Sequence, residues 1–295
     1  MTGGPVPDAL LALVAFATIG THMFRLGLAV GPGEYLAAWR DPGLMLRGLF
    51  CNVVAFPVAA LAIALLFEVP IAAEVGMMIM AVSPGAPIAL RRSLRAGGDA
   101  GFAIALQVTL AAVAVVTLPL TIELLDKHYG AEAKVGAGTI AKQVFAGQIV
   151  PFLLGCGTRR LLGTRRPRIE PGVSALATLL LLVFVALVLV NIWTPIGTTT
   201  VRVAAAMIVA TGVALALGHA MGGPAPATRT VLAIGTGARN AGLALLVVSV
   251  NHMPATVQAA VLAYLLIAAL AVTPYVVWRR RMAGKLAERE SAATA

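Results

Sequence analysis

Apolar runs of about 20 residues, separated by short polar or Pro/Gly-containing stretches, repeat along the whole 295-residue chain. A helix of that length rises ~30 Å, the thickness of a bilayer's hydrocarbon core. The pattern predicts about nine spans, near residues 8–29, 43–67, 71–95, 100–125, 138–161, 173–193, 199–221, 227–250 and 254–279. The links are short and leave no room for a soluble domain. The expectation is one all-α polytopic membrane domain over 1–295.

Two of these spans break the regular pattern. The third carries "VSPGAPIALRRS" (Val82 to Ser93), in which Ser83, Pro84, Gly85, Ala86 and Pro87 cannot sustain an unbroken helical hydrogen-bond ladder. A second half-helix can restart at Pro87, where a missing N–H is not needed. The eighth carries "IGTGARNAGL" (Ile234 to Leu243), where Gly235 and Gly237 flank Thr236 and weaken the helix in the same way. The two spans run in opposite directions. A pair of interrupted helices at corresponding places in two halves points to an inverted-repeat transporter with its site at the midplane. The plainer reading is a pair of kinks, or glycines that permit close helix packing.

Composition supports the bilayer as solvent: 60% of residues are hydrophobic and 12% charged, and mean hydropathy is +0.94. The net charge of +10 would suit a nucleic-acid surface, but its distribution follows the bias of cytoplasmic loops toward Lys and Arg. Arg40, Arg47, Arg91, Arg92, Arg95, Arg159 to Arg168, Arg229 and Arg279 to Arg281 fall on one side. The opposite side has "FEVP", "DKHYGAEAK" and "NIWTPIGTTT". This asymmetry places the N-terminus outside and the C-terminus in the cytoplasm, in an inner (plasma) membrane. Cys51 and Cys156 sit far apart in apolar runs and imply neither a disulfide nor a zinc site. No His/Asp/Ser or metal-ligand constellation converges within the spans, so neither an enzyme nor a metal or organic cofactor is expected.

Arg239 lies about ten residues, or ~15 Å, from either end of its span, which puts it near the midplane. A charge there is a functional hypothesis by default, at about 2.5–3.5 kcal/mol on insertion scales. An aqueous cavity, an anionic ligand or the freed carbonyls of a broken helix would each offset that cost.

At these residues the chain resembles the bile acid:sodium symporter family. "LGLAV" (Leu26 to Val30) is similar to the family's "GLTL" segment. The family's Pro-Gly-Gly break is matched by Pro84-Gly85-Ala86, and its Glu-x-Gly-x-Gln-Asn-x-Gly break by Gly235 to Gly242. The resemblance implies two inverted repeats, a core domain and a panel domain, with two broken helices crossing near the centre of the core. Core would be the spans near 43–125 and 199–279, and panel those near 8–29 and 138–193. It also implies that the first of ten helices common in bacterial members is missing here, in agreement with an outside N-terminus.

The departures from the family pattern bear on mechanism. In relatives, the Glu and Gln of the second motif and a Ser-Asn pair after the first help coordinate two sodium ions. Here those positions are Gly235, Arg239 and Ala89-Leu90, while Asn240 persists. Ser83, Thr236, Gln107 and Thr109 bring oxygens but no negative charge. Sodium partnership is therefore doubtful, and a guanidinium supplies the positive charge without recruitment. Its planar donors suit a carboxylate, sulfate or phosphate, and half-helix N-termini add favourable partial charge.

The candidate substrate-binding set is Arg239, Asn240, Thr236, Gly237, Ser83, Pro84, Gly85, Pro87, Arg91 and Gln107. Arg91 and Arg92 lie close past Pro87, where they either line the pathway or anchor the cytoplasmic face. His22 and Arg25 share a turn of the first span as a gate or panel contact. Glu123, Asp126, Asp99 and His219 are poorly placed for proton coupling. Inward movement of a monoanion against 100 mV costs about 2.3 kcal/mol, which favours export, exchange or facilitated flux. The expected function is alternating-access transport of a small organic anion. The alternatives are sodium-coupled symport and, from another class, a membrane sensor or channel on the same fold.

Overall fold

The computed structural model describes residues 6–29, 31, 39, 41–129, 137–163, 166–192, 200–251 and 253–294. The loop expectations at Arg40, 130–136, 164–165 and 193–199 lie outside the described residues, as does the side chain of Pro87. Among the described residues every regular element is helical. The order is α1 (Asp8–Ala29), α2 (Pro42–Leu66), α3 (Ile71–Ala81), α4 (Pro87–Arg95), α5 (Ala100–Tyr129), α6 (137–162), α7 (Arg166–Ile192), α8 (Val201–Met221), α9 (Pro226–Gly237), α10 (Ala241–Val250) and α11 (Ala255–Thr294). Among the described residues two helices contain a π turn, α2 at Cys51–Ala55 and α6 at Phe145–Ile149.

Helix starts follow local chemistry. Asp41 Oδ1 accepts from the Leu44 amide at 2.9 Å and Pro42 fills the first helical position of α2. Thr200 caps α8 by accepting from Val203 at 3.3 Å, and Pro87 and Pro226 open α4 and α9.

Among the described residues seven helices, and α9 with α10 taken together as the stretch Pro226–Ser249, are long and apolar enough to cross a membrane, with Ile71–Ala81 a shorter apolar helix beside them. The chain is a multi-pass membrane protein. Its surface agrees, since Leu13, Leu46, Leu66, Leu124 and Leu182 point large apolar side chains outward. The region expected as the third span is two short helices, and neither crosses alone. The eighth is also divided, but not where the glycines predicted. Helix α9 runs through Gly235 and Gly237, and the break falls at Ala238–Asn240. Glycine weakens a helix by only ~1 kcal/mol, which packing overrides. Gly237 is pressed against Leu215 and Val272, where a side chain would not fit.

Helix α1 packs on α6, α7 and α10. It approaches α6 closely through two facing glycines: a Cβ on Gly27 would collide with the Phe152 carbonyl, and one on Gly155 with the Phe24 carbonyl. Helices α2, α8, α9 and α11 pack in succession, with α3 against α11 and α4 against α9 and α5. The two breaks meet inside this second group.

Candidate functional site

The first break spans residues 82–86. Gly85 has φ +78°, a left-handed conformation that a side chain would strain. Its carbonyl is thereby turned to accept from Gln107 Nε2 and, at 3.2 Å, from Asn240 Nδ2. The Asn240 amide donates to the Ser83 carbonyl at 2.9 Å. Asn240 Oδ1 caps α10 by accepting from Leu243 at 3.1 Å. One asparagine thus ties the two breaks together and starts the second half-helix. Ser83 and Thr236 donate their hydroxyls to their own helices, at the Ile79 and Leu232 carbonyls, and Pro84 and Gly237 are buried beside them.

Arg239 lies within the second break, only 3% exposed. Its Nη1 donates to Asn52 Oδ1 at 2.8 Å, and Nη2 donates to the Asn52 carbonyl at 3.2 Å and to the Ala81 carbonyl. Nε donates to the Met80 carbonyl at 3.4 Å, and Cζ lies 5.1 Å from the Phe56 ring centroid. The guanidinium therefore caps the C-terminal end of α3, where helix carbonyls concentrate partial negative charge. Hydrogen bonds to a charged group contribute about 1.5–3 kcal/mol each, so this set offsets the ~2.5–3.5 kcal/mol insertion cost of the arginine. Asn52, held by its own bond to the Gly48 carbonyl at 3.0 Å, was not legible as a partner. Its only sequence signal is a lone amide in an apolar span.

Three positions at which the sequence departs from the family pattern also meet. Ala89, Leu90 and Gly235 line one void of about 20 Å³, together with Gly85, Ser93 and Gln107. No carboxylate faces it among the described residues, and a Cβ on Gly235 would find open space. No group of three or more His, Cys, Asp or Glu that could hold a metal occurs among the described residues.

A larger cavity of about 240 Å³ opens beside the breaks, between α1, α7 and α11. Its walls are mostly apolar, including Ile19, Leu181, Phe184, Leu265 and Leu266. Its polar residues are Thr18, His22, Arg92, Arg239 and Asn240. The first residues of both restarted half-helices, Ala86 and Ile88 at α4 and Ala241 and Gly242 at α10, reach it. Helix α4 has no side-chain cap, so its N-terminal amides add positive potential on that side. Of the two adjacent arginines, Arg92 lines this cavity. Arg91 turns to α7 and donates to Thr178 Oγ1 at 2.9 Å and Ser174 Oγ at 3.0 Å. His22 Nδ1 bonds the Thr18 carbonyl at 2.9 Å, and its Nε2 is buried without a partner.

Gln107 and the two breaks are thus joined in one network, with Arg91 outside it. Glu74, a buried carboxylate in the first turn of α3, is a further residue that the sequence reading passed over. Its place at a helix N-terminus is electrostatically favourable.

A comparison with curated proteins returns no match. The family model described as "Sodium Bile acid symporter family" matches residues 17–193, which include the first break and end before α8. That match covers more than half of the chain. With the helical membrane architecture, it establishes that the chain belongs to the sodium bile acid symporter family, a family of transporters rather than enzymes.

Proposed function

We propose that the protein is a secondary transporter of a small organic anion that works without sodium because Arg239 is a built-in cation. The observation that carries this reading is the Arg239 guanidinium bonded to Asn52 and to the terminal carbonyls of α3. It supplies at the crossing the positive charge that a coordinated cation would otherwise bring. Two facts support it: Gly235, Ala89 and Leu90 surround a void without a carboxylate, and a sodium ion near Arg239 would meet like-charge repulsion.

The anion would occupy the 240 Å³ cavity, its charge toward Arg239, Arg92 and the α4 and α10 N-termini, and its apolar body against Phe184 and Leu265. A volume just below the ~300–1,000 Å³ of drug-sized ligand sites suits a small solute. Ser83, Pro84, Gly85, Pro87, Gln107, Thr236, Gly237 and Asn240 would hold the crossing in shape. Arg239 would act on the substrate mainly through its field, because most of its N–H groups are committed. Alternating access would move α1, α6 and α7 as a panel against a core of the other helices, two inverted repeats in an inner membrane with the N-terminus outside. Arg91, bonded to α7, would bridge the moving parts. Efflux, exchange or facilitated flux fits the potential better than uncoupled uptake, which costs ~2.3 kcal/mol per 100 mV for a monoanion.

Sodium-coupled symport is the second reading. It is favoured by the family match and by the oxygens of Ser83, Thr236 and Asn240. Counterflow of a labelled organic anion in proteoliposomes separates the two. Saturable counterflow at equal rates in sodium and in N-methylglucamine is expected, and a strict sodium requirement overturns the proposal.

A further inference from the structure

We propose that His22 makes anion binding proton-linked, so that the cavity takes up an organic monoanion and one proton together, with the proton on His22 Nε2. This rests on the anion-transporter reading above and names its coupling partner.

The geometry isolates one atom. His22 lines the cavity and is 2% exposed. A carbonyl oxygen only accepts, so Nδ1, 2.9 Å from the Thr18 carbonyl, carries a hydrogen in either charge state. Nε2 is left as the atom that gains or loses a proton, and it is buried with no hydrogen-bond partner. Imidazole is the side chain whose ordinary titration falls between pH 5 and 8. No Asp or Glu lines the cavity among the described residues.

The charges around the ring explain why a ligand would control it. Arg25 lies one turn along α1, and Arg91 of α4 acts on the ring with it. Arg92 of α4 and Arg239 at the head of α10 share the cavity wall. Arg159 of α6 donates to the Leu28 and Ala29 carbonyls at the end of α1. Glu170 of α7 acts on Arg25 with the opposite sign. Burial first, and then this cationic surround, oppose a further positive charge on the ring. A carboxylate or sulfonate in the cavity reverses the local field. Nε2 then takes a proton from solution, and its new N–H donates to the anion. Release of the anion on the other side expels the proton, and only that N–H bond forms and breaks. The two charges cancel, so a monoanion crosses without net charge and the membrane potential no longer opposes it.

The test uses the purified full-length protein in detergent and three probes: benzoate, benzenesulfonate and naphthalene-1-sulfonate. The sulfonates keep their charge across pH 5.5–7.5, so any pH dependence belongs to the protein. Calorimetry in buffers of different ionisation enthalpy gives affinity and protons taken up per anion. One linked proton raises sulfonate affinity by up to about tenfold per pH unit as pH falls, with close to one proton bound per anion. In His22→Gln and His22→Asn the affinity is independent of pH and no proton is taken up. Sulfonate binding by wild type without proton uptake overturns the linkage and leaves the anion reading standing, whether or not the variants fold. A pH slope that survives in both variants overturns the role of His22. Failure of folded wild type to bind any of the three probes at any pH overturns the anion reading, and the proposal with it.

Discussion

Replacing Arg239 by Met keeps a long apolar side chain and removes every donor of the guanidinium. Three acceptors lose a close partner: Asn52 Oδ1 at 2.8 Å, the Asn52 carbonyl at 3.2 Å and the Ala81 carbonyl. The Met80 carbonyl, at 3.4 Å, was held weakly. Each buried acceptor left unmade costs about 1–3 kcal/mol, so the lower bound is ~3 kcal/mol for the three. The variant also recovers the desolvation of the buried charge, which keeps the total near that bound. Breaking a buried charged network by removing one partner typically costs about 3–5 kcal/mol, the same range. At ~2–4 °C per kcal/mol this is a fall of roughly 6–20 °C in the unfolding midpoint. Thermal unfolding in detergent, followed by loss of monodisperse protein, measures it. Arg239→Lys should fall between the two, because a single ammonium nitrogen cannot span both Asn52 and the end of α3. An Arg239→Met midpoint within about 2 °C of wild type, less than a 1 kcal/mol effect, would refute the capping role.

Gly85→Ala should destabilise by about 1–2 kcal/mol, the left-handed penalty for a side chain, whereas Gly235→Ala should stabilise by about 0.5–1 kcal/mol because its Cβ meets nothing. Equal shifts in thermal midpoint would contradict both assignments. Gly155→Val should force α1 from α6 against the Phe24 carbonyl, costing about 1–3 kcal/mol or more, and show as lost monodisperse yield. Arg91→Ala removes two bonds to α7 and should lower stability by about 1–3 kcal/mol. An unchanged midpoint would show that the bridge between α4 and α7 is not held by this arginine.

The first break was legible because Pro84, Gly85 and Pro87 forbid a continuous ladder whatever surrounds them. That Arg239 lies well inside a long apolar stretch was legible from the sequence. Its partners were not: Asn52 lies 187 positions away, and a lone amide in an apolar helix carries no periodic signal. Adjacent residues on a helix point about 100° apart, so choosing between Arg91 and Arg92 needed the rotation of α4, which packing against α9 and α5 decides. The second break falls inside the expected Gly235–Gly242 stretch but beyond Gly235 and Gly237, for a related reason. Glycine marks where a helix is weak, but Asn240, which caps α10, marks where the new one begins.

If the Arg239 guanidinium takes the place of a bound cation, equilibrium binding of ²²Na⁺ to the purified protein is the decisive measurement. Wild type should then show no saturable ²²Na⁺ binding, with anion binding unchanged between sodium and potassium buffers. Saturable, millimolar ²²Na⁺ binding to wild type that strengthens anion binding would contradict it.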